Sequence, residues 1–512
     1  MAEPMDPEVV PHIMRLLNVD IFSEIIQLLY ETKLLVVFSG TCQSIRKACK
    51  PCLFRKVRIS ASHDLLSGVL LSSTPDVWPY VRHLIVSGYW ARIWHGDPMD
   101  LGDLPLADFL SRMPSLRTIT ADDSAPTGGP GIPWDGIATL LSPHQLREFD
   151  LRLTPNREAS IPLDFSIAPL AKLSLSLWDH DNNQRAQAGV MSLVKYIINA
   201  VAPSLDHLTV PFDVAPLTEM TASSWPRLRE LELKGDLDTN SAPGIIDVLS
   251  QMPHLRHFTI LRAQRNDSPR HALWSSAYYT KGFPCPQLET LCLSHLDPAD
   301  EFYRHLSPTL KQLSLRCWPR HYLHQRGYDQ RALTRPEWQS QLCTAAEIRG
   351  VLHQCGLDTL ESLEIEYEED DREGLLLRSI PVLFPHLRTL TICRYRRPGS
   401  PSINAAEIAQ ALRRLRTLRV LRLHADLVDA PHPEADFMLG SSHLTFSTYE
   451  ETLREFARDL AGNLCPDLRY ICLLFRRRWA NLWLPFRITR DLEGSVSEVR
   501  RDADLISVSG YR

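Results

Sequence analysis

The residues best able to do chemistry are the pair Cys49-Lys-Pro-Cys52, the group Cys317, His321 and His324, and the carboxylate run from Glu364 to Glu373. Two cysteines separated by two residues have the spacing of half a structural zinc site or of a redox pair. A structural zinc needs four ligands, and beyond Cys42 and His63 no second pair stands at a customary interval. Cys317, His321 and His324 could share a loop and bind a metal, or belong to a polar insertion. Paired Asp and Glu side chains can exchange protons with a substrate; a run this dense reads more simply as a solvated loop that could touch a basic partner. Gly128-Gly-Pro-Gly131 lacks the following lysine and helix of a phosphate loop, and no G-x-S-x-G turn occurs. Arg476-Arg-Arg478 beside Trp479 is short for a nucleic-acid patch or a nuclear signal. The expectation is a chain with no catalytic residues, no metal and no cofactor.

The whole chain sets the same limits. It has 512 residues, 44% hydrophobic and 23% charged, with a net charge of −5 and a pI near 6.4. That balance fits a folded chain and offers no global field for nucleic acid or an anionic membrane. No run approaches the ~18 apolar residues of a membrane span. Glu3, Asp6 and Glu8 precede the first apolar segment, unlike the basic start of a secretory signal. Eleven scattered cysteines suit a reducing compartment, cytoplasmic or nuclear.

The elements that would position any site are repetitive. One phrase recurs: proline or a polar residue, leucine, two polar residues, leucine, one polar residue, and a last apolar residue. It reads PSLDHLTV from Pro203, PRLRELEL from Pro226, PHLRHFTI from Pro253, PHLRTLTI from Pro385 and PDLRYICL from Pro466. About thirteen copies can be counted, most about 22 to 35 residues apart, with two gaps of about 50 after Leu310 and Leu418. Their first apolar anchors are Val81, Leu116, Leu146, Leu170, Leu205, Leu228, Leu255, Leu288, Leu310, Leu360, Leu387, Leu418 and Leu468. The last two apolar positions of each phrase are two apart, so they share one face of a short strand. Such a strand cannot bury that face alone, so successive strands must stack in parallel under returning segments. Gly189 to Val201, Ile245 to Met252, Glu407 to Leu415 and Glu451 to Leu460 read as helical returns. An ordinary open α/β sheet is the plainer alternative.

The repeat resembles the leucine-rich-repeat family from about Pro79 to Leu474, without the asparagine that usually follows each strand; Asp213, Asp236 and Trp318 stand at that offset. The resemblance implies a solenoid with parallel strands on a concave binding face and helices and loops on the convex side.

Residues 14–58 lack the repeat. LLNVDIFSEIIQLL sets Leu17, Ile21, Ile25 and Leu28 on one helical stripe, widened by Phe22, Ile26 and Leu29. A second helix is predicted over Lys33 to Cys49, with Leu34, Val37, Phe38, Cys42 and Ile45 inward. Leu17, Val19, Ile21, Ile25 and Leu28, then Cys42, then Pro51, Leu53, Phe54 and Arg55 resemble the three phrases of an F-box. Asn18 replaces the usual proline, and Ile45 stands where an aromatic residue is common. The order F-box then degenerate repeats is similar to F-box-like proteins of mushroom-forming fungi. The resemblance implies docking on a Skp-type adaptor, and through it on a cullin-RING ubiquitin ligase, with the solenoid holding a target protein. Adaptor contacts would come from Leu17, Val19, Ile21, Ile25, Leu28 and Leu34. The alternative is a repeat scaffold whose first helices only cap the solenoid.

The expected domains are thus a flexible 1–13, an F-box over 14–58, a solenoid over 59–490 and a tail over 491–512. Outward strand residues, among them Glu230, Glu232 and His257, would line a small, polar, locally acidic binding face without a basic stripe. Trp178, Trp318 and Tyr322 would add aromatic contacts on one rim, or else sit at the edge of the core. Eight copies place arginine after the first anchor, including Arg117, Arg147, Arg229, Arg256 and Arg388, as a row on the strand-start edge.

Overall fold

The computed structural model describes residues 19–31, 33–60, 76–87, 106–122, 134–153, 166–177, 184–235, 244–265, 270, 272–274, 282–294, 296–318, 338–339, 342–431, 442–476, 481–502 and 507–508. The chain divides into two compact units, Met1–Val210 with Val214–Pro216, and Pro211–Asp213 with Leu217–Arg512.

The first unit begins with α1 (Val19–Glu31), α2 (Leu35–Ser39) and α3 (Gln43–Leu53). The single helix predicted from Lys33 to Cys49 is therefore two. Gly40 follows α2, and the Ser39 and Thr41 hydroxyls turn back to the carbonyls of Val36 and Phe38. Cys42 is extended (φ −159°), and its sulfur caps α3 by accepting from the Ile45 amide at 3.4 Å. Local polar groups that satisfy the backbone outside a helix end it here.

Six strands follow: β1 (Lys56–Ser60), β2 (His83–Ser87), β3 (Thr118–Asp122), β4 (Glu148–Leu153), β5 (Lys172–Leu177) and β6 (His207–Pro211). Each pairs in parallel with the next. Between them run α4 (Leu106–Ser111), α5 (Trp134–Leu141) and α6 (Gln184–Val201). In α6, Val190, Leu193, Val194, Ile197, Ile198 and Val201 are buried, the spacing of one helical stripe.

The second unit repeats the scheme with α7 (Leu217–Ala222), β7 (Glu230–Gly235), α8 (Ile245–Leu249), β8 (His257–Arg262), β9 (Gln264–Arg265), β10 (Thr290–Leu293), β11 (Gln312–Leu315), β12 (Trp338–Gln339) and β13 (Cys343–Thr344). Then come α9 (Ala345–Gln354), β14 (Ser362–Glu368), α10 (Glu373–Leu383), β15 (Thr389–Tyr395), α11 (Ala405–Leu412), β16 (Val420–His424), α12 (Ser442–Asn463) and β17 (Tyr470–Arg476). β7, β8, β10, β11, β14, β15, β16 and β17 stack in parallel. Both long gaps in the repeat contain a helix. α9 opens with a capping box of Thr344 and Glu347, and α12 fills the second gap.

All thirteen first anchors are buried, none more than 2% exposed. At eleven of the thirteen anchors the following residue gives its carbonyl to two successive amides at the start of the next strand. The Arg388 oxygen, for example, accepts from Arg419 and Val420 at 2.8 and 3.0 Å. The side chains at this position stay at the surface, where Arg256 and Lys311 flank Glu289 at 3.7 and 3.4 Å. Arg388 lies 3.5 Å from Glu361. The arginine row is thus partly interleaved with carboxylates, in exposed pairs worth ~0.2–1 kcal/mol each.

The sheet ends differently from the repeats. β18 (Asn481–Arg490) runs antiparallel to β17, and both β19 (Val496–Arg501) and β20 (Ser507–Val508) pair with β18. The tail expected from residue 491 therefore contains strands. Asp491 makes the reversal: its Oδ1 accepts from the amides of Glu493 and Ser495, and Gly494 takes φ +82°. This is an Asx turn closed by the residue best suited to positive φ.

Candidate functional site

The N-terminal helices bury Ile26, Leu35, Ile45 and Cys49 together, with Leu29, Phe38, Cys42, Cys52 and Leu53 packed against them. That leaves other apolar residues outside. Leu28 is 60% exposed, Leu34 54%, Val36 69% and Val37 73%, with Tyr30 beside them at 39%. They occupy one corner, the end of α1, the turn and α2. Lys33 (φ +61°) reverses the chain there, and the Leu34 amide donates to the Leu29 carbonyl at 2.9 Å. Among the sequence-predicted contacts, Leu28 and Leu34 are at this surface and Ile25 is half-buried. Leu17 lies outside the described residues, as do the side chains of Val19 and Ile21. The inward placement expected for Leu34 and Val37 is overturned, because Leu35 and Phe38 fill that space. Val36 was missed, since in Leu35-Val36-Val37-Phe38 every side of the helix is apolar. Exposed apolar side chains grouped in this way, unlike single scattered ones, are candidates for contact with a partner.

The outward face of the second sheet is less open than the alternation predicts. Glu230 and His257 lie side by side in the register of β7 and β8, with Glu232 opposite Thr259, all half-buried. Trp318, expected at an exposed rim, is buried. It packs with Leu261, Ala263 and Cys292, the Lys234 ammonium 5.5 Å from its ring centre. The edge-of-core alternative holds for this tryptophan, because the outward positions of β8 and β10 are apolar near their ends. Farther along, Cys393, Tyr395, Cys472, Leu474 and Trp483 form a second buried cluster. Trp178 and Tyr322 lie outside the described residues.

The carboxylate run is not a solvated loop. Glu366 and Glu369 are buried, together with Arg394 and His424. Arg394 pairs with Glu369 and, through Nε at 2.8 Å, with Glu373; its Nη1 donates to the Ala425 carbonyl at 3.2 Å. The Tyr367 hydroxyl donates to Glu373 at 2.9 Å, and the Tyr395 hydroxyl donates to Glu366, which also accepts from the Cys317 amide at 3.1 Å. Asp370 accepts from the amides of Ala346 and Arg372 at 2.9 and 2.7 Å. Burial pushes the Glu373 carboxyl up to about 7 against the Tyr367 hydrogen bond, and Asp370 and Glu407 push the same way. Burial likewise holds His424 down to about 4, with Asp426 opposing it. A neutral His424 donates from Nδ1 to the Arg394 carbonyl at 2.8 Å. Each carboxylate here is held by the neighbouring strand or turn, the requirement for a buried charge.

Burial raises the Cys49 thiol above its usual value, and nearby Cys52 adds to the shift. Cys49 is thus a core thiol, opposite in tendency to a reactive or metal-binding thiolate. His321 and His324 lie outside the described residues. Among the described residues no cluster of His, Cys, Asp or Glu could hold a metal ion, and no helix is long and apolar enough to cross a membrane. No model of a known protein family matches the chain, and no curated protein matches it in sequence.

Proposed function

We propose that this chain is the substrate-recognition subunit of a cullin-RING ubiquitin ligase, an F-box protein that docks on a Skp-type adaptor and presents a target on its repeat sheets. The observation that carries the reading is the apolar corner of Leu28, Leu34, Val36 and Val37, outside a small helical module whose own core is already filled. The corner coincides with two of the residues that the F-box resemblance assigns to the adaptor. In this reading the chain works by position. It raises the local concentration of target lysines near a ubiquitin-loaded enzyme, and other subunits make the bond. The compartment would be cytoplasmic or nuclear.

A second reading has its own observation. β1 follows α3 directly and pairs with β2, and Lys50 lies 3.8 Å from Asp76, so the module also closes the edge of the first sheet. Co-purification with a Skp-type adaptor separates the two. The ligase reading expects a one-to-one complex with wild type, lost in a Leu28→Asp, Val37→Asp double variant whose circular dichroism is unchanged. No complex with wild type, where an authentic F-box partner binds, would leave a repeat scaffold with a capping module.

A further inference from the structure

Beside the Arg394 network lies an open groove of about 640 Å³, lined by the turn after β14, the end of β15, α10, α11 and residues 400–403. Its volume is within the ~300–1,000 Å³ of ligand clefts. Five carboxylates and five guanidiniums line it, so net charge does not reveal what it binds. The hydrogen-bonding capacity still unused is more telling. Glu369 and Glu373 are engaged by Arg394, Asp370 by two amides, and Arg397 approaches Glu368 at 3.5 Å. Arg378, Arg413 and Arg414 line the same groove, and their guanidiniums make no hydrogen bond or ion pair among the described residues.

Their placement is built in. Gly374 stands one turn before Arg378 on α10; a Cβ there would meet both Nη atoms at 3.5 Å, so the guanidinium lies over the bare glycine. Arg413 and Arg414 directly follow α11, which packs beside α10. Three cations, one on α10 and two in the turn after α11, line one cleft without partners, repel one another and favour an anion that accepts their forked donors. The carboxylates Glu407 and Asp371 at the other end oppose a ligand charged along its whole length, such as a nucleic acid strand. The fit is to a local anion beside a neutral or basic group.

We infer that this groove binds a peptide segment of a partner protein through an acidic or phosphorylated side chain held by Arg378, Arg413 and Arg414. A basic or neutral residue of the same segment faces Glu407 and Asp371. The inference does not depend on adaptor docking, so failure of the co-purification leaves it standing.

The test uses the full chain and four fluorescein-labelled peptides on one Gly/Ala scaffold, read by anisotropy at low salt. One carries a central phosphoserine with a lysine four residues before it, one a Glu-Glu pair in the same place, and one unmodified serine. The fourth has the phosphoserine with glutamate replacing the lysine. The groove predicts binding of the first two, their ranking telling phosphate from carboxylate, with little binding of the serine peptide and weaker binding of the all-acidic one. Arg413→Glu with Arg414→Glu, both exposed, should lower affinity for the bound peptides at least tenfold while the melting curve stays the same. Absence of binding by either anionic peptide, equal binding by wild type and double variant, or preference for a single-stranded oligonucleotide of the same length would overturn the inference.

Discussion

Arg394→Met removes the one guanidinium that two buried carboxylates share while keeping an unbranched apolar stem. Arg394 is 3% exposed, Glu369 9% and Glu373 13% in their side chains, so solvent screens little of the loss. Truncating one partner of a buried ion pair costs about 3–5 kcal/mol, mostly through the charge left behind. The residual contacts are few: the Arg397 amide to Glu369 at 3.0 Å and the Tyr367 hydroxyl to Glu373. pH then discriminates. Glu373 already titrates near 7 when folded, above its usual 4.5, so the folded state holds a proton the unfolded chain lacks between those values. Stability from this group is present at low pH and declines as pH rises toward 7. Without Arg394 the Glu373 carboxyl climbs further. If it rises by about one unit, the deficit of the variant shrinks by about 1 kcal/mol between pH 8 and pH 5.5. Urea unfolding of both proteins at the two pH values measures this. A deficit under ~1 kcal/mol at pH 8, or one that does not change with pH, would refute the reasoning.

Other outcomes follow from the same geometry. His424 is held near 4 when folded against 6.5 free, so its contribution to stability is intact above 6.5 and falls by about 3 kcal/mol as pH drops to 4. His424→Gln, which keeps a donor, should flatten that part of the pH–stability curve. Thr344→Ala breaks the capping box of α9 and should cost about 1 kcal/mol by denaturant midpoint. Leu390→Ala, at a fully buried strand position, should cost about 2–5 kcal/mol in the same assay. Trp318→Ala should destabilise by about 3–5 kcal/mol, as a core residue does and a rim contact does not.

Periodicity revealed the repeat because each strand must bury alternate residues, and every anchor read from it is in the core. It could not orient the first helices. Ile25 and Ile26, or Leu28 and Leu29, are adjacent on a helix that is apolar over much of its circumference, and only the packing of α3 shows that Ile26 goes in. The outward clusters did leave a trace. Thr389–Tyr395 and Tyr470–Arg476 continue apolar on both faces past the anchors, as a strand covered on both sides must. The acidic run seemed solvated because its partner is remote in sequence. Arg394 lies opposite Tyr367 in the register of β14 and β15, and that alignment requires knowing which copies stack. Asp491 and Gly494 were a legible turn, passed over because no apolar repeat follows them.

The reversal at the C-terminal end decides where this architecture could grow. Between β16 and β17 each strand offers a parallel edge to the next, so a duplicated repeat has a template on either side. After β18 there is none: its second edge is taken by β19, a short strand bearing Glu498, Arg500 and Arg501. Charged short edges discourage further pairing. At this end the hairpin thus serves as a terminus for assembly, denying an added repeat or a neighbouring molecule a parallel strand on which to pair.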